Sequence, residues 1–383
     1  MPRIGVPRET AAGETRVALI PSALAPLLKD KHEVFVQKGA GEGASFPDSE
    51  YARAGAVLVE DASSLASRSE VTVRVRPPRT PAEAALLGEG STYVGFFAPL
   101  ALPQVLEAFR ARRITALSME YIPRITRAQS MDALSSMATV AGYKAVLMAA
   151  EASGKMFPLL MTAAGTVPPA TVLVLGAGVA GLQAIATAKR LGAKVEAYDV
   201  RAAAREQIKS LGATPIEIES AEDPEGKGGY AREQSAGFLR AQQAVLAARL
   251  PKIHVVITTA QVFGKKAPVL LTTEMVKLLH PGSVVVDLAA EQGGNCALTQ
   301  PGQTVVHEGV RIIGTLNIPA LVPQDASQMY SRNVLNLLKL MYPTADARPD
   351  FGDEILSGAC ITRNGEVTNT AVREARERGE TQS

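Results

Sequence analysis

The sequence predicts an α/β protein of two domains, each built on a mostly parallel sheet with helices on both faces. Three observations carry that expectation. Short β-branched runs alternate with helical stretches along most of the chain, which is the pattern of strand–helix–strand crossovers. A turn-rich segment, GKMFPLLMTAAGTVPPA, interrupts the alternation, which then resumes. The length, 383 residues, is enough for two or three domains at about 100 to 200 residues each.

In order from the N-terminus, the strands RIGV, EVFVQ, AVLV, VTVRV, YVGFF and ITALS alternate with helical stretches at Ser22 to Lys29, Ser63 to Ser67 and Leu102 to Arg112. MDALSSMATVAGYKAVLMAAEA then places Met131, Leu134, Met137, Ala138, Ala141, Ala145 and Met148 near a helical period, so a long helix is expected there. After the turn-rich break come TVLVLG, KVEAYD, TPIEI, HVVIT, SVVVD and RIIG, with helices between them. Helical periodicity returns over Asp325 to Met341 through Met329, Val334, Leu337 and Leu338. The tail beyond it is too thin in apolar residues for a core of its own, so the expected domains are 1–134 completed by 325–383, and 135–324. No internal repeat of solenoid length is present.

Composition excludes several classes. The 40 Lys and Arg nearly balance the 38 Asp and Glu, so no overall field favours nucleic acid or an anionic membrane surface. With 46% hydrophobic and 20% charged residues the chain is globular rather than disordered. Cys296 and Cys360 form neither a disulfide framework nor a metal motif, so no metal is expected and a reducing compartment fits. The start, MPRIGVPRET, carries charge where a signal peptide needs an apolar core. The longest uncharged stretch, Met156 to Ala188, is broken by prolines and glycines into pieces shorter than the roughly 20 residues of a spanning helix.

Gly176, Gly178 and Gly181 form GAGVAG directly after the strand TVLVL and before the helix LQAIATAKRLG. In that setting the first glycine permits the tight turn, the second lets backbone approach a pyrophosphate, and the third lets helix and strand pack closely. The next strand ends in Asp199, 23 positions after Gly176, near the spacing of about 20 for an acid that bonds the adenine ribose. A carboxylate there accepts bonds from a free 2′-hydroxyl and repels a 2′-phosphate, which favours NAD over NADP. Arg201 lies close enough to bind such a phosphate or to stack on adenine, and Asp199 ranks above it because it holds the strand end.

Two further segments leave alternatives open. PRITRAQSMDALSS holds Arg124, Arg127, Gln129, Asp132, Ser135 and Ser136, with Asp132 and Ser135 on one helix face. On spacing alone this is a helix start, with Ser130 as N-cap and Asp132 near the positive end of the dipole. ESAEDPEGKGGYAREQSAGF, with Gly229 and Tyr230, is a solvated loop or a lid over a ligand. His32, His254, His280 and His307 lie far apart, with no HExxH and no nucleophile elbow, so no general acid or base emerges.

RAQSMDALSS, AGYKAV, VLGAGVAGLQAIATAKRLGA, YDVR, GGYA, ITTA and VVVDLAAEQGGN together resemble the soluble NAD(H)-binding alpha component, domain I, of the proton-translocating nicotinamide nucleotide transhydrogenases. The resemblance runs to about Met341, and it implies two doubly wound, Rossmann-like domains joined by long helices with a cleft between them. It further implies that Arg124, Gln129, Ser130, Met131, Asp132 and Ser135 meet the nicotinamide and its ribose, which overturns the helix-start preference. Gly176, Gly178, Val179 and Gly181, with Asp199, Val200 and Arg201, would hold pyrophosphate and adenosine. Ala260 and Leu288 would border the nucleotide, and Gly229 and Tyr230 would belong to a loop that closes on it.

The implied activity is direct hydride transfer between NAD(H) here and NADP(H) on a partner beta subunit, with a separate membrane-spanning subunit coupling the transfer to proton translocation. A homodimer, cytoplasmic and attached peripherally to the inner membrane through its partners, is implied as well. IGVPRE and ETRVAL also resemble alanine dehydrogenase, a stand-alone oxidoreductase. Arg16 keeps that family's pyruvate-binding arginine, but Arg74 stands where a lysine is expected, GFFAPL has no histidine around Phe97, and Glu291 replaces an aspartate. A non-catalytic NAD-sensing module is the third reading.

Overall fold

The computed structural model describes residues 2–218, 236–261, 266–344 and 346–379. The chain divides into two compact units, Met1–Met137 with Pro319–Ser383, and Ala138–Ile318.

The first unit is an eight-stranded sheet. Its parallel part comprises β1 (Arg3–Val6), β2 (Glu33–Gln37), β3 (Val57–Val59), β4 (Val71–Val73), β5 (Thr92–Gly95) and β6 (Thr115–Ser118). The C-terminal segment adds β16 (Cys360–Arg363), antiparallel to β6, and β17 (Glu366–Val367), giving the order β17-β16-β6-β5-β4-β1-β2-β3. The tail therefore joins an existing core instead of building one. Its hairpin turns at Asn364–Gly365, both at positive φ (54° and 87°), the two-residue turn whose twist matches antiparallel strands. Tyr93, Phe97 and Phe109 pack together beneath β5, with Phe97 stacked on Phe109 at 4.8 Å between ring centroids.

The helix Pro323–Met341 belongs to this unit and has a polar stripe beside its apolar one. Ser327 Oγ accepts from the Val17 N–H at 3.0 Å, Ser331 Oγ accepts from the Ile20 N–H at 3.1 Å, and the Tyr330 hydroxyl donates to the Arg74 carbonyl at 2.8 Å. All three side chains are buried, so each bond forms where water does not compete.

The second unit holds a seven-stranded sheet: β9 (Thr171–Leu175), β10 (Lys194–Tyr198), β11 (Thr214–Pro215), β12 (Val255–Thr258), β13 (Val284–Asp287), β14 (Thr304–His307) and β15 (Val310–Ile313). The order is β11-β10-β9-β12-β13-β15-β14, parallel except for the β14–β15 hairpin. The chain leaves β9 toward β10 and later returns to the other side of β9 as β12. Such a reversal opens a crevice at the carboxyl ends of the two strands, where ligands of this fold class sit. The expected strand TPIEI is reduced to Thr214–Pro215 at the edge of the sheet, followed by one more bond from the Ile216 N–H to the Ala197 carbonyl. Within the turn-rich break lies an antiparallel ribbon, β7 (Leu160–Thr162) with β8 (Gly165–Val167).

Among the described residues one helix, Ala133–Ala152, is long and apolar enough to cross a membrane. Its Ala145, Val146 and Ala149 are fully buried with Val172 and Val174 in the second unit's core.

Candidate functional site

In the second unit the turn after β9 is shaped by glycine. Gly176 has φ +101°, and a Cβ on it would lie 2.5 Å from Thr259 Oγ1. A Cβ on Gly181 would lie 1.8 Å from the Gly176 carbonyl oxygen, so helix and loop touch there through bare backbone. A Cβ on Gly178 would meet nothing within 4 Å. The first and third glycines are required by the protein's own packing, whereas the second faces open space. Gly178 caps the helix Val179–Arg190, whose first-turn amides point outward beside the half-exposed Val179.

Asp199 follows β10 and locks the loop from the side. Its Oδ2 accepts from the Ala177 N–H at 2.7 Å and from Arg201 Nη2 at 2.9 Å, and its Oδ1 accepts from the Arg201 N–H at 2.9 Å and from Arg201 Nε at 2.8 Å. Burial pushes this carboxyl up, but the Arg201 fork and the two N–H donors outweigh it and hold the group below the usual carboxylate range. Four donors fill the roughly four lone-pair sites of a carboxylate. A ribose hydroxyl therefore gains Asp199 only as Arg201 yields, and Val200, between them, is half-buried against the core.

The neighbouring strand ends are held by two residues the sequence reading passed over. Asp287, fully buried at the end of β13, accepts five hydrogen bonds: Thr258 Oγ1 and the Ala289 N–H on Oδ1, and the Asn295 N–H, Cys296 N–H and Thr299 Oγ1 on Oδ2. Asn295, also fully buried, accepts from the Ala260 N–H at 3.0 Å and donates to the Ala260 carbonyl at 2.8 Å. The Leu288 carbonyl takes the Gln261 Nε2 donor at 2.8 Å. An acid closing a wholly apolar strand, as in SVVVD, was the available sign of this hub.

In the first unit, Thr126–Met131 forms a short 3-10 turn and the long helix begins only at Ala133. Asp132, not Ser130, is the capping residue: its carboxylate accepts from the Ser135 N–H at 2.9 Å and from Ser135 Oγ at 2.5 Å. The spacing of three seen in the sequence is thus a direct contact. Met131 and Ala128 are buried beneath the turn, while Arg124, Gln129 and Ser130 are exposed above them.

A second cluster in this unit is ion-paired, three arginines sharing two glutamates. The buried Arg16 lies on Glu14 through Nε at 2.7 Å and Nη2 at 2.6 Å, and Arg76 reaches the same carboxylate at 3.2 Å. Arg74 pairs with Glu9, whose carboxylate also takes the Val75 N–H at 2.6 Å. Burial pushes the Glu9 carboxyl up against the pull of Arg74. Near Phe97, Glu120 accepts from the Phe97 and Ala98 N–H groups and from Ser118 Oγ, and burial pushes its carboxyl up too. Glu291, offered as the counterpart of a catalytic aspartate, accepts the Asn317 N–H at 2.7 Å. Gly229 and Tyr230 lie outside the described residues, and no metal-ligating group of three occurs among the described ones.

Two family models match the chain, the alanine dehydrogenase/PNT N-terminal domain over residues 5–141 and the C-terminal domain over 145–370. An NAD(P) transhydrogenase subunit alpha chain of Rhodospirillum rubrum is 46% identical over 378 residues, covering 97% of this chain and 98% of that protein. A transhydrogenase structure from Sinorhizobium meliloti superposes with a TM-score of 0.84 at 38% identity, covering 96% of this chain and 99% of that one. An L-alanine dehydrogenase structure gives 0.82 at 27% identity, over 98% and 99%.

Proposed function

The chain belongs to the alanine dehydrogenase/PNT family, and on that premise we propose that it is the NAD(H)-binding subunit of a proton-translocating transhydrogenase. Hydride passes directly between NAD(H) on this chain and NADP(H) on a partner beta subunit. A separate membrane-spanning subunit couples that transfer to proton movement.

One observation carries the choice over a stand-alone dehydrogenase. Reducing an imino or keto acid requires a proton donor, and at the place where that relative's histidine is expected Phe97 lies fully buried, stacked on Phe109. Direct transfer between two nicotinamides moves no proton and needs no such group. What it needs is placement, with the two reacting carbons about 3 to 3.5 Å apart and aligned. Asp132 and Ser135, fastened to one another, and the neighbouring Arg124, Gln129, Ser130 and Met131 are suited to hold the nicotinamide and its ribose. The glycine loop, Val179, Asp199, Val200, Arg201, Ala260 and Leu288 hold the rest of the dinucleotide, and Gly229 and Tyr230 close over it. The open space at Gly178 beside packing-locked Gly176 and Gly181 supports a pyrophosphate there.

The chain works as a homodimer, cytoplasmic and peripheral to the inner membrane through its partners. The β7–β8 ribbon supports a second copy: Met161 is 78% exposed and Leu159 53%, an apolar surface that water penalises. The test is turnover. The purified chain should fail to oxidise NADH when offered pyruvate or NADP+, and should oxidise it rapidly once an NADP+-loaded beta subunit is added. Steady alanine or pyruvate turnover by the chain alone would overturn the reading.

A further inference from the structure

The 3-10 turn that precedes the long helix is fastened from outside its own segment. The Ser130 carbonyl accepts from Asn333 Nδ2 at 2.9 Å and from Asn336 Nδ2 at 3.1 Å. The two asparagines are three apart on the helix Pro323–Met341 and so share a face. Asn333 is 5% exposed, and a side chain so buried contributes its bond away from competing water. Its Oδ1 has no hydrogen-bond partner among the described residues, so what the structure gains from this residue comes through its amide donor. A second tie lies three residues upstream: Arg127 Nη1 meets Asp353 Oδ2 at 2.7 Å, and Asp353 is itself fixed as the cap of the helix Glu354–Ala359. The same long helix also anchors the Val17 and Ile20 amides and the Arg74 carbonyl, so it already holds other loop backbone of this unit in place.

We propose that Asn333 and Asn336 are positioning residues for hydride transfer, fixing the Ser130 carbonyl and thereby the placement of Gln129, Asp132 and Ser135. The inference rests on the transhydrogenase reading for its consequence and on the two hydrogen bonds for its cause. A carbonyl held by two donors cannot drift, and Ser130 lies between Gln129 and Asp132, so the nicotinamide-side groups inherit that constraint. Losing it costs little affinity, because the dinucleotide keeps its pyrophosphate and adenosine contacts. It costs rate, because a displacement near 1 Å at reacting atoms lowers transfer steeply.

The test has two readouts on Asn333→Ala/Asn336→Ala and on the milder Asn336→Ala. Hydrogen exchange of the Ala128–Asp132 amides in the isolated chain should quicken about tenfold in the double variant, as a local opening that lost its restraint does. Unchanged exchange would overturn the anchoring whatever the reaction does. In complex with the beta subunit, single-turnover hydride transfer should fall about tenfold while NADH affinity stays within about threefold. Asn336→Gln, which keeps an amide donor, should recover most of the rate lost in Asn336→Ala. Rate and affinity falling together, or a rate that does not change, would refute a positioning role. If the unmutated complex transfers no hydride, the functional reading fails, and the exchange result still decides the anchoring.

Discussion

Gly178 and Gly181 offer a contrast whose magnitudes come from the backbone itself. At Gly181 an alanine Cβ would sit 1.8 Å from the Gly176 carbonyl oxygen and 2.8 Å from its carbon. Neither atom is the end of a flexible side chain, so helix and loop must part, an overpacking cost of about 3 kcal/mol. At about 2 to 4 °C per kcal/mol for a unit of this size, Gly181→Ala should lower Tm by roughly 6 to 12 °C. At Gly178 the backbone is extended, φ −73° and ψ −169°, and nothing lies within 4 Å of the added methyl. Loss of a glycine N-cap and gain in chain stiffness nearly cancel there, so Tm should move by no more than about 4 °C. The methyl would instead occupy the approach to the helix amides, and NADH affinity should fall at least about tenfold, or about 1.4 kcal/mol. Scanning calorimetry with and without NADH, followed by titration calorimetry, reads both. A Gly178→Ala protein that binds NADH normally, or a Gly181→Ala protein with native Tm, would refute the division of labour assigned to the three glycines.

Asp199 should set nucleotide choice: NADH binds more tightly than NADPH, Asp199→Ala narrows the difference, and equal affinities in the unmutated chain would sink the assignment. Because Arg201 both occupies that carboxylate and belongs to the adenosine side of the site, Arg201→Ala should weaken NADH by about threefold to tenfold, and an unchanged affinity would mean that the guanidinium does not bind nucleotide. His254 gives a pH signature. Its Nδ1 accepts the Thr171 N–H at 3.1 Å, and burial, with Lys155 and His280 nearby, lowers its pKa below the usual histidine value. The unfolded chain therefore takes up this proton first, and this contribution to stability is full above about pH 6.5 and lost as pH falls from there through the lower folded-state value. His254→Asn, which keeps an acceptor for Thr171, should flatten the fall in Tm between pH 6.5 and 5, and an unchanged slope would assign the effect elsewhere.

The sequence disclosed what periodicity and glycine can encode. The parallel strands of both units, the long helices and the GAGVAG loop all announce themselves through apolar runs and their breaks, and the packing at Gly176 and Gly181 is the reason those glycines stand there. Hairpins were harder. Asn364–Gly365 is a strong two-residue turn signal, yet the flanking runs CITR and EV are too short to stand out without β6 to pair with. Glu308–Gly309 makes the same kind of turn between β14 and β15, where TVVH exposes Val306 and so lacks a clean alternation. Long-range electrostatics were out of reach altogether. Nothing in the spacing of Glu9 and Arg74, or of Glu120 and Phe97, says that they touch, because only the strand order brings them together.

Those long-range pairs follow a common design. Glu9 receives the Val75 N–H, Glu14 the Arg16 N–H, Glu120 the Phe97 and Ala98 N–H groups, Asp199 the Ala177 and Arg201 N–H groups, and Asp287 three main-chain donors. Glu9, Glu120 and Asp199 bond main chain just beyond the ends of strands, where regular pairing stops and loop amides need partners, and Glu14 and Asp287 also bond amides within the loops. An ionised acceptor makes the strongest such bonds available. At Asp199, whose carboxyl these donors hold below the usual range, protonation would weaken the bonds that hold its loop. Acid–base catalysis would ask such a group to give up these bonds as it takes a proton, at the expense of anchoring. Hydride transfer between two nicotinamides makes no such demand, so the chain is free to use its buried acids as fasteners, and the stiffness they give the strand-end loops is what a reaction governed by distance requires.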